Sequence, residues 1–462
     1  MRFPIGLTLI SALIMTAIVV VIGLFVVQPP RPLLVRVENS LDVISPNADG
    51  VDDLTQFSYE ISRNAFVSLV FIRQADKREF YFRKDERRSG GEYNVLFSGV
   101  VDGYLLPNET LQGDVLRRLI PSGEYEWVLS ARAQDNDETM EQRGTLTVIG
   151  DEIPLPPQMT EFTVSPEVFT PNQDGVDDRV LINVYLDKDA TLDVYLIDQN
   201  DQRLPISRRE QSRLSGEAGR HSFDYEGGVD IDADPPDDGL YTIVAEARDR
   251  IGQVTKREAT LTIQDGGKPR AEIVGQPNGA TVIFITAPYD ETYASSISGV
   301  GALIPKPNSP NDANVLPITM QIGDLLIFSL TVENYGITPI RTSGPPPGTV
   351  YDQTQLAASL GQYEQSGVWR VGIQCETSEV SYPWRWAIGS ADELVAVTDP
   401  TNDNTYYYLP PGKRAVVWGA IRMTDLIPTA NPQACWAGLI HEDVNVYNSD
   451  VGRREIELVP SE

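Results

Sequence analysis

The sequence predicts an all-β protein in which tandem β-sandwich domains follow one N-terminal transmembrane helix. Three observations predict this architecture: an uncharged apolar run near the amino terminus, stretches of alternating apolar and polar residues, and an acidic segment that occurs twice. The 36 Gly and 33 Pro residues imply many turns and few long helices. A chain of 462 residues exceeds what one hydrophobic core usually organises, so we expect several domains.

The apolar run at residues 5–27 contains no charged residue. As a helix it is long enough to cross the hydrocarbon layer, which requires about 20 apolar residues. Because it is longer than the apolar part of a cleaved signal peptide, we expect residues 1–28 to form an uncleaved signal anchor. Residues 29–37 are rich in proline and are expected to form a stiff spacer. The predicted location is the cell membrane, with a single pass and the bulk of the chain extracytoplasmic.

The net charge of −29 results from 66 acidic and 37 basic residues. So negative a surface repels the phosphate backbone, which argues against nucleic acid as a partner. Cations are attracted to it, and solubility outside the cell also explains such a composition.

A nine-residue acidic segment at residues 45–53 recurs at residues 170–178 with seven identical positions. Each copy is followed by stretches of period-2 alternation, and each unit closes with a Gly-x-Tyr strand that begins at Gly123 or Gly239. We therefore predict two related domains at residues 38–150 and 158–265. Each contains roughly seven short strands, which is the size of an immunoglobulin-like sandwich.

The acidic segment, a Gly followed by Asp in mid-domain (Gly99 with Asp102, Gly227 with Asp230) and the late Gly-x-Tyr strand resemble the immunoglobulin-like domain of the flagellar hook-capping protein family. The resemblance covers residues 38–265. It implies an immunoglobulin-like fold and no particular function, because related modules decorate many bacterial surface and secreted proteins.

The two acidic segments have two interpretations. Asx side chains that bond nearby amides, with a Gly at positive φ, make a turn that needs no ligand. The same oxygen donors suit Ca²⁺, which is the one cofactor that the sequence suggests, although the EF-hand pattern is absent. The candidate ligands in the two copies are Asn47, Asp49, Asp52, Asp53, Asn172, Asp174, Asp177 and Asp178.

Residues 270–462 lack a third acidic segment and contain five of the six tryptophans, which predicts a different C-terminal β-sandwich domain. Its Asn334-Tyr335-Gly336 turn and its Pro411-Gly412 turn are similar to those of adhesion-type immunoglobulin-like modules of prokaryotic surface proteins. That resemblance implies a surface role.

Four residues of this domain are candidates for binding or cross-linking. Period-2 spacing places Trp384 and Trp386 on one face of a strand, where they either bind a protein or glycan partner or pack in the core. Cys375 and Cys435, the only cysteines, suit a disulfide between two strands of an exported protein, and two reduced thiols are the alternative.

Catalytic motifs are not found in the sequence, and His221 and His441 fall in different predicted domains. We therefore expect a protein that is not an enzyme: a membrane-anchored, extracytoplasmic structural or adhesive protein that presents a distal domain on a stalk. Two other classes remain open, a carbohydrate- or protein-binding surface receptor and a subunit of an envelope-spanning assembly.

Overall fold

The computed structural model describes residues 5–26, 31–136, 138–150, 153–207, 216–231, 233–293, 303–308, 316–399 and 402–460. Parts of the predicted anchor and spacer, at residues 1–4 and 27–30, lie outside them. The helix α1 extends over Ile5–Val26. Among the residues whose side chains the structure describes, no helix is both long and apolar enough to cross a membrane.

Domain 1 (residues 31–150) is a sandwich of two sheets with the strand orders β1-β3-β6 and β2-β10-β9-β4-β5. An aromatic cluster that includes Phe57, Phe71, Phe97 and Trp127 fills the space between them. Its strands are β1 (Leu34–Asn39), β2 (Val43–Ile44), β3 (Thr55–Ile61), β4 (Ala65–Arg73), β5 (Glu79–Arg88), β6 (Gly91–Phe97), β7 (Val100–Asp102), β8 (Asp114–Leu119), β9 (Gly123–Ala133) and β10 (Thr139–Val148).

The predicted spacer at residues 29–37 requires a correction. Leu33 and Leu34 are buried in the core of domain 1, and β1 already begins at Leu34. The proline content suggested an extended spacer, but an extended chain also pairs readily at the edge of a sheet, and β1 pairs with β3.

Domain 2 (residues 153–265) repeats this arrangement with the strand orders β11-β13-β16 and β15-β14-β17-β18, to which β12 is added beside β18. Its strands are β11 (Met159–Ser165), β12 (Val168–Phe169), β13 (Val180–Leu186), β14 (Thr191–Ile197), β15 (Arg203–Pro205), β16 (Gly219–Tyr225), β17 (Gly239–Arg248) and β18 (Val254–Ile263), and a 3-10 turn covers Val229–Ile231.

A tyrosine near the start of one strand marks both domains as immunoglobulin-like. The Tyr125 hydroxyl donates to the carbonyl oxygen of Pro121 over 2.6 Å, and the Tyr241 hydroxyl donates to that of Asp237 over 2.7 Å. This contact back to the chain four residues earlier is the tyrosine corner of immunoglobulin-like sandwiches. The all-β prediction is therefore confirmed for both domains.

Domain 3 (residues 270–460) is a larger sandwich of a five-stranded and an eight-stranded sheet. Its strands are β19 (Ala271–Val274), β20 (Val282–Ala287), β21 (Ile318–Gln321), β22 (Leu325–Asn334), β23 (Ile340–Thr342), β24 (Val350–Asp352), β25 (Trp369–Cys375), β26 (Trp384–Ala387), β27 (Val395–Thr398), β28 (Thr405–Leu409), β29 (Arg414–Arg422), β30 (Gln433–His441) and β31 (Asn445–Val459). Short 3-10 turns cover Glu291–Tyr293, Ala357–Leu360 and Pro428–Ala430.

The hairpin β7-β8 of domain 1 continues a sheet of domain 2, giving the strand order β15-β14-β17-β18-β8-β7. Val254 of β18 lies opposite Arg117 of β8, and Lys256 lies opposite Asp114. A Cβ atom added at Gly113 would lie 2.4 Å from the carbonyl oxygen of Lys256, so the two chains approach each other closely there. Domains 1 and 2 are thus joined by backbone pairing as well as by the linker.

Candidate functional site

The first acidic segment (acidic turn 1, residues 45–53) is an exposed turn held by its own side chains. The Asp53 carboxylate accepts hydrogen bonds from the backbone N–H groups of Asn47 (3.0 Å), Ala48 (2.7 Å) and Gly50 (2.6 Å). Asn47 Oδ1 accepts from the N–H of Asp49 over 2.8 Å. Desolvation raises the pKa of Asp53, but these N–H groups outweigh it and leave the pKa lowered. The turn therefore stabilises a charged Asp53.

The second acidic segment (acidic turn 2, residues 170–178) repeats these contacts. The Asp178 carboxylate accepts from the N–H groups of Asn172 and Gly175, and Asn172 Oδ1 accepts from the N–H of Asp174 over 3.1 Å. The residues with left-handed backbone conformation also lie at equivalent positions in the two turns. Gly175 has φ 81° where Gly50 has φ 91°, and Asp177 has φ 51° where its counterpart Asp52 has φ 53°. One short sequence pattern thus produces the same local backbone twice.

The two turns differ in what surrounds them. Asn47 and Asp49 are exposed, whereas Asn172 and Asp174 are 4% and 5% exposed. Domain 3 packs against part of acidic turn 2 and covers Asp174, while Gly175 and Asp177 stay exposed. We call the contact region the junction site, which consists of Gln173, Asp174 and Gly175 of domain 2 with Ser366, Gly367, Tyr408 and His441 of domain 3.

Two side chains of domain 3 bond acidic turn 2 in the junction site. The Tyr408 hydroxyl donates to Asp174 Oδ2 over 2.9 Å. The Nε2–H group of His441 donates a hydrogen bond to the carbonyl oxygen of Gln173 over 2.7 Å. The His441 ring is held in place by stacking on Trp369, with the ring centroids 4.4 Å apart.

Two glycines allow the backbones to touch in the junction site. A Cβ atom at Gly175 would lie 2.2 Å from the carbonyl oxygen of Ser366, and one at Gly367 would lie 2.2 Å from the carbonyl carbon of Asp174. Arg341 holds the opposing loop, since its Nη2 donates to the carbonyl oxygen of Ser366 over 2.8 Å. Any side chain at either glycine would therefore separate the two domains.

A buried ion pair within domain 3 holds the loop that contains Ser366 and Gly367. Arg370 and Glu442 are 0% and 3% exposed, and Nη1 of Arg370 lies 2.8 Å from Oε1 of Glu442. The other Glu442 oxygen accepts from the N–H of Gln365 over 2.7 Å, and the Glu442 carbonyl accepts from the N–H of Gly367 over 3.0 Å. These bonds fix the loop within domain 3, so its position does not depend on domain 2.

Burial shifts the protonation of four groups in and beside the junction site. Burial, aided by the Asp174 carboxylate, raises the pKa of Asp178 to about 6. Burial also raises the pKa of Asp174, although the Val176 N–H and the Tyr408 hydroxyl favour its charged form. Burial and the Asp174 carboxylate raise the pKa of Tyr408 well above its ordinary value. Burial lowers the pKa of His441 to about 4, so that its ring is neutral near pH 7.

The candidate calcium ligands are divided between the two turns, and most of their oxygens already accept bonds from the turn. Asp52 and Asp177 have exposed side chains. Across the described parts of the chain, no group of three or more His, Cys, Asp or Glu residues is placed so as to hold a metal ion. The hydrogen bonds explain both turns without a ligand, and calcium binding stays an untested alternative.

Of the two interpretations of Trp384 and Trp386, core packing is the one that the structure shows, and the prediction of a binding surface there is corrected. They are 3% and 0% exposed. The Trp386 ring packs edge-on against Phe328 and Tyr351, with centroid distances of 4.6 and 4.9 Å. Period-2 spacing correctly places both rings on one face, but pairing of β26 with β25 turns that face into the core.

Cys375 and Cys435 form a disulfide in the structure. They lie directly opposite each other on β25 and β30, and both are fully buried. The bond therefore joins two adjacent strands of the eight-stranded sheet.

Sequence reasoning did not identify Tyr408, Arg341, Gly367 or His441 as parts of a site. Tyr408 and Asp174 are 234 positions apart, and His441 and Gln173 are 268 apart. No local pattern signals contacts at such separations.

No protein-family model matches the chain and no curated protein matches it. Solved structures match at low similarity. The fibronectin(III)-like modules of Clostridium thermocellum CbhA are 10% identical, with 50% of this chain and 95% of that chain covered and a TM-score of 0.19. A structure of a 1.5-MDa bacterial ice-binding adhesin is 9% identical, with 93% and 98% covered and a TM-score of 0.18. Native E. coli alpha-2-macroglobulin is 11% identical, with 94% and 23% covered and a TM-score of 0.16. Similarities this low identify no family, so the resemblance to the hook-capping domain stays a prediction.

Proposed function

We propose that this chain is a membrane-anchored, extracytoplasmic structural or adhesive protein without catalytic activity, in which domains 1 and 2 form a stiff arm that presents domain 3. The observation that carries the proposal is the pair of domain junctions. One is a continuous sheet through β8 and β18, and the other is the junction site. A chain of modules joined only by flexible linkers would not hold its last domain in one orientation.

The proposed location rests on the chemistry of the chain. The uncharged apolar run at residues 5–27 is the proposed anchor, and the disulfide between Cys375 and Cys435 is of a kind that persists in oxidising compartments. The net charge of −29 keeps such an arm soluble and discourages self-association.

Stiffness is tested by distance measurements on the full chain. Because both native cysteines are in the disulfide, spin labels can be attached at Ser89→Cys in domain 1 and Thr354→Cys in domain 3, both exposed positions. We expect double electron–electron resonance to give one narrow distance distribution. A broad distance distribution in the chain that carries only these two cysteine substitutions would overturn the stiff-arm proposal.

Two glycine substitutions locate the source of the stiffness, and a third is their matched control. Gly175→Ala and Gly113→Ala each place a methyl group against the neighbouring domain's backbone, and we expect each to broaden the distribution. Gly50→Ala meets nothing within 4 Å, although φ is 91° there against 81° and 85° at the other two glycines. It bears the same backbone strain and is expected to leave the distribution narrow.

Location and anchoring are tested separately in cells. A membrane-impermeant maleimide should label Ser89→Cys in intact cells of the natural host, and deletion of residues 1–28 should release the protein from the membrane fraction. Labelling only after lysis would refute the extracytoplasmic placement. Extraction of the full chain by alkaline carbonate would refute the anchor.

A further inference from the structure

Strand β27 is an unprotected sheet edge. It is the outermost strand of the eight-stranded sheet, and the described part of the chain adds no strand beyond it. All four of its residues are exposed, with Val395 at 50% and Val397 at 48%. The strand contains neither a charged residue nor a proline, whereas β5, an edge strand of domain 1, carries several Arg and Lys residues. Natural sheets usually protect a free edge with such residues, so β27 is open to pairing.

The hydrogen-bonding direction of β27 follows from its hairpin. The N–H of Asp399 donates to the carbonyl of Asn404 over 2.8 Å, so this is a hydrogen-bonded pair. Such pairs alternate along an antiparallel ladder, which makes Val397 and Val395 the residues bonded to β28. The N–H and C=O groups of Ala396 and Thr398 therefore point away from β28, towards the free edge.

One face of this edge is apolar and continues towards domain 2. Val395 and Val397 lie opposite Tyr408 and Tyr406, and residues opposite each other share a face of the sheet. Tyr408 is the residue that bonds Asp174 in acidic turn 2. The exposed valines thus extend the sheet face on which domain 2 rests.

Carboxylates border this apolar face. Asp177 of acidic turn 2 is exposed and lies three positions after Asp174, the residue that Tyr408 bonds, and Asp399 directly follows β27. Glu393 precedes the strand. A second copy of the chain paired through β27 would bring its own Glu393 and Asp399 against these residues, and this repulsion disfavours self-association. A strand with basic ends would instead be attracted.

We propose that the free edge of β27 binds an extended segment of a partner protein by β-strand addition. The segment pairs with the outward N–H and C=O groups of Ala396 and Thr398. Its apolar or β-branched side chains pack on Val395 and Val397, and a Lys or Arg lies beside Asp177 and Asp399. This inference goes beyond the proposed function, because it holds whether or not α1 anchors the chain.

The probe is a synthetic peptide of alternating Val and Thr with two Lys residues at each end, titrated into the full chain in mild detergent by fluorescence polarisation. Two further peptides serve as controls, one with Glu in place of the Lys residues and one with Pro in place of the central residue. We expect the basic peptide to bind and both controls to bind at least about tenfold more weakly. Equal binding of all three, or of none, overturns the proposal.

Substitutions in the protein test the same contact between β27 and the peptide. Ala396→Pro removes an outward N–H without removing a bond to β28, and we expect it to weaken binding of the basic peptide about tenfold. Asp177→Asn is expected to weaken it several-fold, while its matched control Asp52→Asn, with nearly the same φ in acidic turn 1, leaves it unchanged. Equal effects of the two asparagine substitutions would overturn the assigned charge contact.

A second measurement keeps the proposal falsifiable if Ala396→Pro disturbs the hairpin. In the unsubstituted chain, the backbone amides of Ala396 and Thr398 should exchange hydrogen rapidly and become protected when the basic peptide is added. If they are already protected in the free chain, the edge is covered by the chain itself or by a second copy, and the proposal fails. Sedimentation of the free chain distinguishes these two cases.

Discussion

The Tyr408 hydroxyl donates a 2.9 Å hydrogen bond to Asp174 Oδ2 across the boundary between domains 3 and 2. Asp174 is 5% exposed, so water cannot easily replace this donor. Tyr408→Phe should therefore weaken docking of the two domains by about 1 to 3 kcal/mol, the cost of an unsatisfied buried acceptor. The readout is a broadened domain 1 to domain 3 distance distribution and earlier urea unfolding.

The control for that prediction is Tyr407→Phe, the neighbouring residue, which is 43% exposed. It should change unfolding by no more than about 0.5 kcal/mol. Equal effects of the two substitutions would show that the hydroxyl of Tyr408 does not stabilise the junction.

Protonation of the junction site has two opposing contributions. The pKa of Asp178 is raised to about 6 in the folded chain, against about 3.9 unfolded, so the folded state binds more protons between about pH 4 and 6. This contribution to stability is present at low pH and is lost as the pH rises through 6. The pKa of His441 is lowered to about 4, against about 6.5 unfolded, so its contribution is present above pH 6.5 and is lost as the pH falls through 4.

We therefore expect single substitutions to separate these two pH-dependent contributions to stability. In His441→Gln the junction should become more stable as the pH is lowered from 7 to 4.5, because Asp178 and Asp174 then dominate. In Asp178→Asn it should gain less stability over the same range, because Asp174 alone then opposes the loss from His441. Urea unfolding of the full chain at each pH measures both, and parallel pH profiles in the two variants would contradict the assignment.

Replacement of a buried tryptophan of domain 3 should lower the stability of the domain. Trp386→Ala removes a fully buried indole, whose Nε1 donates to the carbonyl of Thr349 over 3.1 Å, and should cost about 3 to 5 kcal/mol of unfolding free energy. If Trp386 instead bound a glycan or protein at the surface, its replacement would leave thermal unfolding unchanged and abolish ligand capture.

Reduction of the disulfide should destabilise domain 3 selectively. Cys375 and Cys435 are separated by 60 residues, and removal of such a cross-link typically costs about 2 to 5 kcal/mol. We expect replacement of both cysteines by Ala to lower the unfolding temperature of domain 3 and to leave those of domains 1 and 2 unchanged. Calorimetry separates the transitions, and a uniform shift of all of them would contradict the prediction.

Calcium is tested by chelation. Because the Asp53 and Asp178 carboxylates are bonded to backbone amides of their own turns, we expect EDTA and excess calcium to give the same melting temperature within about 1 °C. A rise of several degrees on calcium addition, abolished by Asp52→Asn or Asp177→Asn, would establish the calcium interpretation.

The sequence by itself determined the features that depend on near neighbours along the chain. Alternating apolar residues specified strands, because successive side chains of a strand point to opposite faces. The Asn-x-Asp-Gly pattern specified the same turn twice, because its bonds run between residues at most six positions apart. The pairing of the only two cysteines was also open to sequence reasoning.

Only the tertiary structure decided which surfaces meet. Asp49 and Asp174 hold the same position in the two turns, yet one is exposed and the other is buried, because Asp174 is covered by residues of domain 3 such as Tyr408, 234 positions further along the chain. The direction in which Trp384 and Trp386 point, the continuation of the domain 2 sheet by β8, and the exposed edge of β27 are decided in the same way. Contacts of this kind depend on shape and distance in three dimensions, which period and spacing do not encode.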